Sequence, residues 1–244
     1  MFHFLQKKPF LSDLIPSGHI DIHSHLLPGI DDGAATVEDT LFLTRELHQL
    51  GFEQCITTPH IMSSVWENTP KTIDNAFQSA QTALENRRNI LSGFAAEYLI
   101  DPTFVKLFQQ GQLLTLKDNL VLVEISYLNP PIQLYDILFD LQIAGYKPVL
   151  AHPERYPYYH QKFNEYYKLK NAGCLFQLNL LSTVGYYGVE VAKTAETLLE
   201  KGLIDFVGSD VHHENHLKAF SNRILFRNTT LLKKAIDNNQ FFRK

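Results

Sequence analysis

The sequence predicts an α/β fold in which parallel strands alternate with helices, and three observations carry this prediction. Short, mostly apolar runs recur seven times along the chain, and helical patterns separate them. A length of 244 residues with 45% hydrophobic side chains suits one closed or nearly closed barrel. A doubly wound open sheet is the alternative, but the first strand enters His23-Ser24-His25 without that fold's usual glycine-rich turn.

The predicted strands and helices have recognisable ends. In chain order the seven apolar runs span 19–23, 53–58, 90–97, 119–126, 147–152, 174–179 and 204–210. Thr36 with Asp39 is typical of a capping box, whereas Thr69-Pro70 and Asp101-Pro102 are typical of helix starts. Glycines stand where helices should end, at positions 51, 111, 145, 173 and 202.

Composition excludes several functional classes. A net charge of −4 and a pI of about 6.2 provide no overall basic surface for nucleic acid. Pro9 and Pro16 interrupt the first residues, so these are not a signal peptide, and no apolar run reaches the ~20 residues of a membrane span. Cys55 and Cys174 lack zinc-ribbon spacing and fit a reducing compartment. We therefore expect a cytoplasmic protein without a membrane span.

Metal-binding side chains stand at the carboxyl ends of six of the seven predicted strands. They are His23, His25, His60, Glu97, Glu124, His152, Asp210 and His212. The carboxyl ends of parallel barrel strands lie on one face, where barrel active sites are built. Imidazole and carboxylate ligands without thiolate suit Zn, Mn or Fe, and eight ligands exceed the needs of one ion. The pattern predicts two or three divalent metal ions.

Such a cluster predicts hydrolysis of a phosphoric ester, because paired metal ions activate water and clamp the oxygens of an in-line displacement. Arg155 follows His152 by three residues and suits bidentate phosphate binding; a surface salt bridge with Glu154 or a neighbour is the alternative. Asp32 lies in Asp31-Asp32-Gly33 after the first strand. It could protonate a leaving group or orient water, or it could belong to a turn and helix cap.

Other enzyme classes lack their motifs here. No arginine stands six residues after either cysteine, and no P-loop or GxSxG motif is present. The remaining histidines are interpreted as ordinary surface, loop or structural residues: His3, His19, His48, His160, His213 and His216. Several loop tyrosines could contact an aromatic substrate or simply pack: Tyr127, Tyr156, Tyr158, Tyr159, Tyr186 and Tyr187.

These motifs resemble the PHP (polymerase and histidinol phosphatase) superfamily from residue 19 to about residue 215. The residues that carry the resemblance are 23–25, 58–60, 96–97, 123–124, 151–156 and 208–212. Within it, the chain is most similar to bacterial protein-tyrosine phosphatases encoded with capsule and exopolysaccharide genes. The resemblance implies a distorted seven-stranded (β/α)7 TIM-like barrel as a single domain over 19–244.

The resemblance also implies specific roles. All eight residues would bind up to three metal ions, usually Mn or Fe, and Glu124 would bridge two of them. Arg155 would contact phosphate, and Asp32 would be a proton donor. The implied substrate is phosphotyrosine on the cytoplasmic tail of a membrane tyrosine kinase that controls polysaccharide export.

Three alternatives stay open at this point. They are a histidinol-phosphate phosphatase, a nuclease, which the charge disfavours, and a non-catalytic metal-binding scaffold. Residues 1–18 form an extension that the motifs do not explain; Phe2, Phe4, Phe10 and Leu11 could pack under the barrel or against a partner. The oligomeric state is open.

Overall fold

The computed structural model describes residues 7–85, 87 and 89–244, and its parallel sheets and helices confirm the α/β class. The strands are β1 (His19–Asp21), β2 (Phe52–Thr57), β3 (His60–Ile61), β4 (Leu91–Phe94), β5 (Glu97–Leu99), β6 (Leu120–Glu124), β7 (Lys147–Ala151), β8 (Leu175–Asn179) and β9 (Phe206–Gly208). The helices are α1 (Val37–Gln49), α2 (Pro70–Leu84), α3 (Pro102–Gln109), α4 (Leu134–Ile143), α5 (Asn164–Asn171), α6 (Val189–Glu200), α7 (Glu214–Ala219) and α8 (Thr230–Asn238).

The strands form two all-parallel sheets. One has the order β1-β2-β4, and the other has the order β3-β5-β6-β7-β8-β9. Chain order therefore equals spatial order in both sheets. A doubly wound sheet reverses its strand order at a switch point. Neither sheet does so, and this alternative is excluded for the described residues.

The seven continuous strands of the expected barrel are not confirmed, because two of them are divided. The run 53–58 becomes β2 and β3, and the run 90–97 becomes β4 and β5. Pro59 stands at the first division, where it has no N–H to donate to a ladder. Backbone hydrogen bonds still continue across the divisions: the Thr58 N–H donates to the Ser24 carbonyl at 2.7 Å, and the Glu97 N–H donates to that of Pro59 at 3.1 Å.

The last strand, β9, and the first strand, β1, are also joined by only a few backbone contacts. Beyond β1 and β9, Ser24 and Val211 form an isolated parallel bridge. The Asp210 N–H donates to the His23 carbonyl at 2.7 Å, and the His25 N–H donates to that of Val211 at 2.9 Å. Within the described chain, the ladder is therefore not one uninterrupted closed barrel.

The helices begin where the sequence predicts. Thr36 and Asp39 form a complete capping box at α1, and Thr69 caps α2 ahead of Pro70. The Asp101 carboxylate accepts hydrogen bonds from two N–H groups at the start of α3. No described helix combines the length and the apolar character that a membrane crossing requires.

A compact apolar cluster fills the space enclosed by the sheets, and the C-terminal turn closes its amino end. The cluster includes Ile20, Ile22, Ile56, Leu122, Val149 and Phe242. Next to Phe242 in the same turn, the Asn239 amide donates to the carbonyls of Ile20 and Val207 at 2.8 and 2.9 Å. One side chain therefore ties β1 to β9 at the end opposite the predicted site.

The described part of the N-terminal extension packs on the same molecule. Leu11, Leu14 and Ile15 are buried in the main hydrophobic core, whereas Phe10 is 37% exposed. Of the two alternatives for the extension, packing under the fold therefore applies to Leu11. Phe2 and Phe4 lie outside the described residues.

Replacing Phe242 with alanine should destabilise the protein by about 3–5 kcal/mol, because a fully buried aromatic ring would leave a cavity. Chemical denaturation measures this as a lower midpoint with an unchanged slope. The neighbouring Phe241→Ala variant is the matched control, since Phe241 is 48% exposed and should lose much less stability. Equal losses in both variants would contradict the role of Phe242 as an interior plug.

Candidate metal centre

The structure brings the eight predicted ligand side chains together at the carboxyl ends of the strands. Together with Asp32, a ninth candidate, they form four overlapping groups, and within each group the candidate ligand atoms lie within 4.8 Å of one another. The groups are His25, Asp32, His60 and His212; His23, His25 and Asp210; His23, Glu97 and His152; and His60, Glu97 and Glu124. Because the groups share members, they describe one cluster with room for more than one ion.

Glu97 lies at the centre of this cluster. Its Oε2 is 3.1 Å from His23 Nε2, 3.3 Å from His60 Nδ1 and 3.4 Å from His25 Nε2. Its Oε1 is 3.0 Å from His152 Nε2. A fully buried carboxylate that faces four imidazoles has the geometry of a group that can be shared between cations.

Two of the candidate ligands stand at strand starts instead of the expected strand ends. His60 opens β3 and Glu97 opens β5, and the two residues pair in register. Each follows an interruption of a predicted strand. Both side chains point to the common cluster, where His60 Nδ1 lies 3.3 Å from Glu97 Oε2.

Two other candidate ligands have left-handed backbone conformations. His152 directly follows β7 with φ at 35°, and Asp210 follows β9 with φ at 51°. Such conformations cost on the order of 1–3 kcal/mol for residues other than glycine, and they persist where surrounding structure enforces them. Two residues of one cluster have such a conformation. This indicates that the structure fixes the positions of their side chains even though the backbone is strained there.

Two partners that orient the imidazoles were not singled out from the sequence. The Nδ1 of His25 is 2.8 Å from the Asp31 carboxylate, and the Nδ1 of His23 is 2.7 Å from the Gln177 side-chain oxygen. Both contacts leave Nε2 facing the cluster, as partners of metal-binding histidines commonly do. For Gln177 the available signal was its position in β8, two residues before Asn179 and thus on the same face.

Glycines make room for the two histidines on the first strand. A Cβ on Gly33 would lie 2.1 Å from the His25 carbonyl oxygen, and one on Gly208 would lie 2.6 Å from the His23 Cβ. Neither neighbour is the flexible end of a side chain. Both close approaches therefore require glycine.

Asp32 lies at the edge of the cluster. Its Oδ1 is 3.5 Å from His212 Nε2 and 3.6 Å from His60 Nε2, and its side chain is 55% exposed. The contact with His212 lowers the pKa of Asp32, so the carboxyl group is ionised at neutral pH and has no proton to donate in this geometry. The arrangement favours a ligand position beside His60 and His212.

Arg155 contacts the cluster and does not pair with Glu154. Its guanidinium donates to Asp210 Oδ2 at 2.8 Å and lies 4.0 Å from the centre of the Tyr187 ring and 5.1 Å from that of Tyr127. Glu154 is fully buried, and its Oε1 accepts from the Asn179 N–H and from Ser182. Among the described residues, Arg155 pairs neither with Glu154 nor with an exposed neighbour, but with the buried Asp210 carboxylate.

A cavity of about 380 Å³ opens above the cluster. Aromatic side chains line part of its wall: Trp66, Tyr127 and Tyr187. Tyr156 and Tyr159 are instead buried in the core. These two tyrosines therefore pack in the interior and do not line the cavity. Trp66 and Met62, which also lines the cavity, were not predicted; their signal was only their place in the loop that follows His60.

Two further histidines lie close to the cluster. His213 and His216 line the cavity, and His216 is 8% exposed with its Nδ1 accepting from the His212 N–H. The prediction of a surface or loop position is wrong for His216, which lies in α7. His19 is fully buried against Phe52 at the start of β1, away from the cluster.

The electrostatics of the cluster suit cations. Although burial opposes a charged imidazole, Glu97 and Asp210 raise the pKa of His23 to about 9. Burial, together with Glu97 and Asp210, raises the pKa of Glu124. Among the described residues, Glu124 Oε1 and His60 Nδ1 are buried without a hydrogen-bond partner and face each other at 3.5 Å. Unpaired buried ligand atoms and crowded carboxylates both fit bound divalent metal ions.

Comparisons with known proteins identify the family of this chain. The family model described as "Capsular polysaccharide synthesis, CpsB/CapC" matches residues 19–229. Tyrosine-protein phosphatase YwqE of Bacillus subtilis (strain 168) is 32% identical over 198 residues, which cover 80% of this chain and 77% of that protein. Tyrosine-protein phosphatase CpsB of Streptococcus pneumoniae is 27% identical over 201 residues, covering 80% and 83%.

A solved structure is also similar. It comes from work on YwqE and CpsB, described as unique metal-dependent tyrosine phosphatases, and it matches with a TM-score of 0.77 and 29% identity. The match covers 88% of this chain and 86% of the other. The predicted similarity to capsule-associated phosphatases is therefore confirmed.

Metal uptake by the metal-free protein should release protons and should strengthen as pH rises. The pKa of about 9 keeps His23 protonated at neutral pH, and only the neutral imidazole binds a metal ion. The apparent affinity for Mn²⁺ should therefore increase up to about pH 9. Isothermal titration in buffers of different ionisation enthalpy measures the protons released.

The raised pKa of His23 also makes the stability of the metal-free protein depend on pH. A raised imidazole pKa stabilises the metal-free fold below about 6.5, the value of an unfolded histidine, and this contribution is lost as pH rises through about 9. Metal uptake without proton release at neutral pH would contradict the charged state of His23.

Proposed function

The chain belongs to the CpsB/CapC family of capsular polysaccharide synthesis, and we propose that it is a metal-dependent tyrosine-protein phosphatase. One observation carries the proposal: the eight-residue cluster lies beneath an aromatic-lined cavity, with Arg155 at its edge. The named relatives YwqE and CpsB are tyrosine-protein phosphatases, and this chain spans more than three quarters of each.

The proposed metal ligands are the eight residues predicted from the strand ends. They hold two or three divalent ions, Mn or Fe in the first place and Zn as a further option. The resemblance assigns the bridging position to Glu124, and the contacts of Glu97 with four imidazoles support a bridging role for Glu97 as well. Bound ions would activate water as the nucleophile and offset the charge of the phosphoryl group.

Arg155 is the proposed phosphate-binding residue. Its guanidinium is part-exposed at the cavity and held between two tyrosine rings, so its donors are fixed in direction. A planar guanidinium can bind two phosphoryl oxygens at once. The bond to Asp210 Oδ2 occupies one donor and leaves the others for substrate.

Asp32 has two proposed roles, and its contacts favour one of them. The resemblance assigns it to proton donation, whereas its positions near His60 and His212 support a metal ligand. Tyrosinate is a tolerable leaving group because the pKa of tyrosine is about 10. Hydrolysis of phosphotyrosine therefore needs little acid assistance from Asp32.

The cavity walls favour phosphotyrosine over histidinol phosphate. Trp66, Tyr127 and Tyr187 offer ring faces to an aryl phosphate. Histidinol phosphate carries an ammonium group that needs a free carboxylate. Every acidic side chain that the described residues contribute to the cavity wall also belongs to the candidate cluster: Asp32, Glu97, Glu124 and Asp210.

We extend the proposal to the biological setting and to the domain. The substrate is phosphotyrosine in the cytoplasmic tail of a membrane tyrosine kinase, and the protein acts in the cytoplasm. Residues 19–244 form a single domain in which the two sheets together make a distorted barrel of seven strand positions. Support comes from the family match over 19–229 and from the backbone contacts that join the sheets.

After chelator treatment, the protein should hydrolyse a phosphotyrosine peptide only when Mn²⁺, Fe²⁺ or Zn²⁺ is added back. Histidinol phosphate, assayed in parallel, should be a much poorer substrate because the cavity offers its amine no uncommitted carboxylate. Released phosphate measures both reactions. Preferential cleavage of histidinol phosphate would contradict the proposed phosphotyrosine substrate but would be consistent with the proposed metal site. Activity that is retained without metal would contradict the proposal of a metal-dependent phosphatase.

His152→Ala should lower kcat by at least about 10² while the protein stays folded, because one imidazole contact to Glu97 and to the cluster is lost. His48→Ala is the matched control, since His48 lies on α1, away from the cavity. Circular dichroism verifies the fold, and metal analysis records the lost ion. An unchanged rate in His152→Ala would contradict a role of His152 in the active site, whereas a wild type without activity would favour the metal-binding scaffold.

A further inference from the structure

The N-terminal extension lies outside the family match, and the proposed function has not used it. Its described part forms a short antiparallel contact with the segment after α7, and this contact includes a bridge between Phe10 and Arg223. The Leu11 N–H donates to the Asn222 carbonyl, and the Ile224 N–H donates to that of Pro9, each at 3.0 Å. The extension is therefore attached to the body at a defined position.

The same contact connects Lys8, through Leu225 and the segment 183–187, to the rim of the active-site cavity. The ammonium group of Lys8 donates to the Leu225 carbonyl, and the Leu225 N–H donates to the Thr183 carbonyl at 2.9 Å. The Leu225 side chain lies against Gly185, where an added Cβ would meet Leu225 Cδ1 at 2.7 Å. Tyr187, two residues further along, lines the cavity.

This part of the surface is cationic in a chain of net charge −4. Lys7, Lys8 and Arg223 are exposed, and none forms a salt bridge with a carboxylate in the part of the chain that the structure describes. The Arg223 guanidinium lies 4.2 Å from the centre of the Phe10 ring and donates to the Lys8 carbonyl. The nearby Asp13 carboxylate accepts from the Phe10 N–H. Three positive charges therefore remain available to an anionic partner.

Exposed apolar side chains continue from these cations to the cavity. Phe10, Leu225 and Tyr186 are 37%, 43% and 40% exposed. The centre of the Tyr186 ring is 5.0 Å from that of His216, which lines the cavity. These exposed side chains connect the cationic segment to a residue of the cavity wall.

We propose that Lys7, Lys8, Phe10, Tyr186, Arg223 and Leu225 form a docking surface for the substrate chain beside its phosphotyrosine, and that it prefers acidic and apolar residues. The proposal rests on the proposed phosphatase function. Charge complementarity and continuity with the cavity identify the occupant as an extended, acidic segment of the phosphotyrosine protein. Such contacts act equally on bound substrate and transition state, so they should lower KM and leave kcat unchanged.

Three substrates separate docking from chemistry. One is a phosphotyrosine peptide flanked by glutamates, one is the same peptide with glutamines, and one is p-nitrophenyl phosphate, which has no flanking residues. The test variant combines Lys7→Glu with Lys8→Glu. The matched control combines Lys147→Glu with Lys168→Glu, which changes the net charge equally at exposed positions far from the cavity.

The test variant should raise KM for the acidic peptide by about five- to twentyfold and change the other two substrates less than about twofold. The control should leave all three nearly unchanged. In the wild type, added salt should raise KM for the acidic peptide, because charges at a surface are screened. Equal effects of the test and control variants would overturn the docking surface and indicate only a general charge effect.

A measurement of peptide binding that needs no hydrolysis tests the docking surface independently of the proposed phosphatase function. Fluorescence anisotropy of the labelled acidic peptide should show weaker binding to the test variant than to the wild type and the control. If the wild type hydrolyses no substrate, the phosphatase proposal fails, and the anisotropy comparison still decides the docking surface. Lys7→Glu alone, at an exposed position, should show the same direction of change and guards against misfolding of the double variant.

Discussion

A single buried carboxylate is the constraint on which the rest of the structure depends. Glu97 lies between imidazoles from three other segments of the chain, His23 and His25 after β1, His60 in β3, and His152 after β7. A buried charge of this kind is tolerated only when it is compensated nearby. Protonated His23 provides that compensation without metal, and bound cations would take its place. Folding and metal binding are thereby linked through the same atoms.

The backbone departs from regular geometry wherever this cluster requires it. His152 and Asp210 adopt left-handed conformations, and close approaches to His25 and His23 exclude any side chain at Gly33 and Gly208. The interruptions ahead of His60 and Glu97 divide two strands, so regular pairing is reduced beside the site. At the opposite end, regular packing around Phe242 and the Asn239 hydrogen bonds hold the sheets together. The strained backbone around the metal cluster therefore depends on the regular hydrophobic packing at the opposite end of the fold.

The sequence predicted the elements and the convergence of the eight side chains because both follow from local patterns. Alternating apolar runs and caps define the strands and helices, and parallel strands necessarily place their carboxyl ends together. The divided strands escaped prediction: Pro59 lacks an N–H for regular pairing at the first division, but no comparable local signal marks the division between β4 and β5. Asp31 and Gln177 escaped as orienting partners because their roles depend on distances across the chain. Trp66 and His216 reach the cavity only through tertiary packing, which no periodicity reveals.

The central claim is that Glu97 and its neighbours hold a cluster of metal ions instead of a single ion. Anomalous diffraction from crystals of the Mn²⁺-loaded protein at the manganese edge tests this claim most directly. The account predicts two or three separate peaks, at least two of them within bonding distance of Glu97. One isolated peak, or peaks that avoid Glu97, would contradict it.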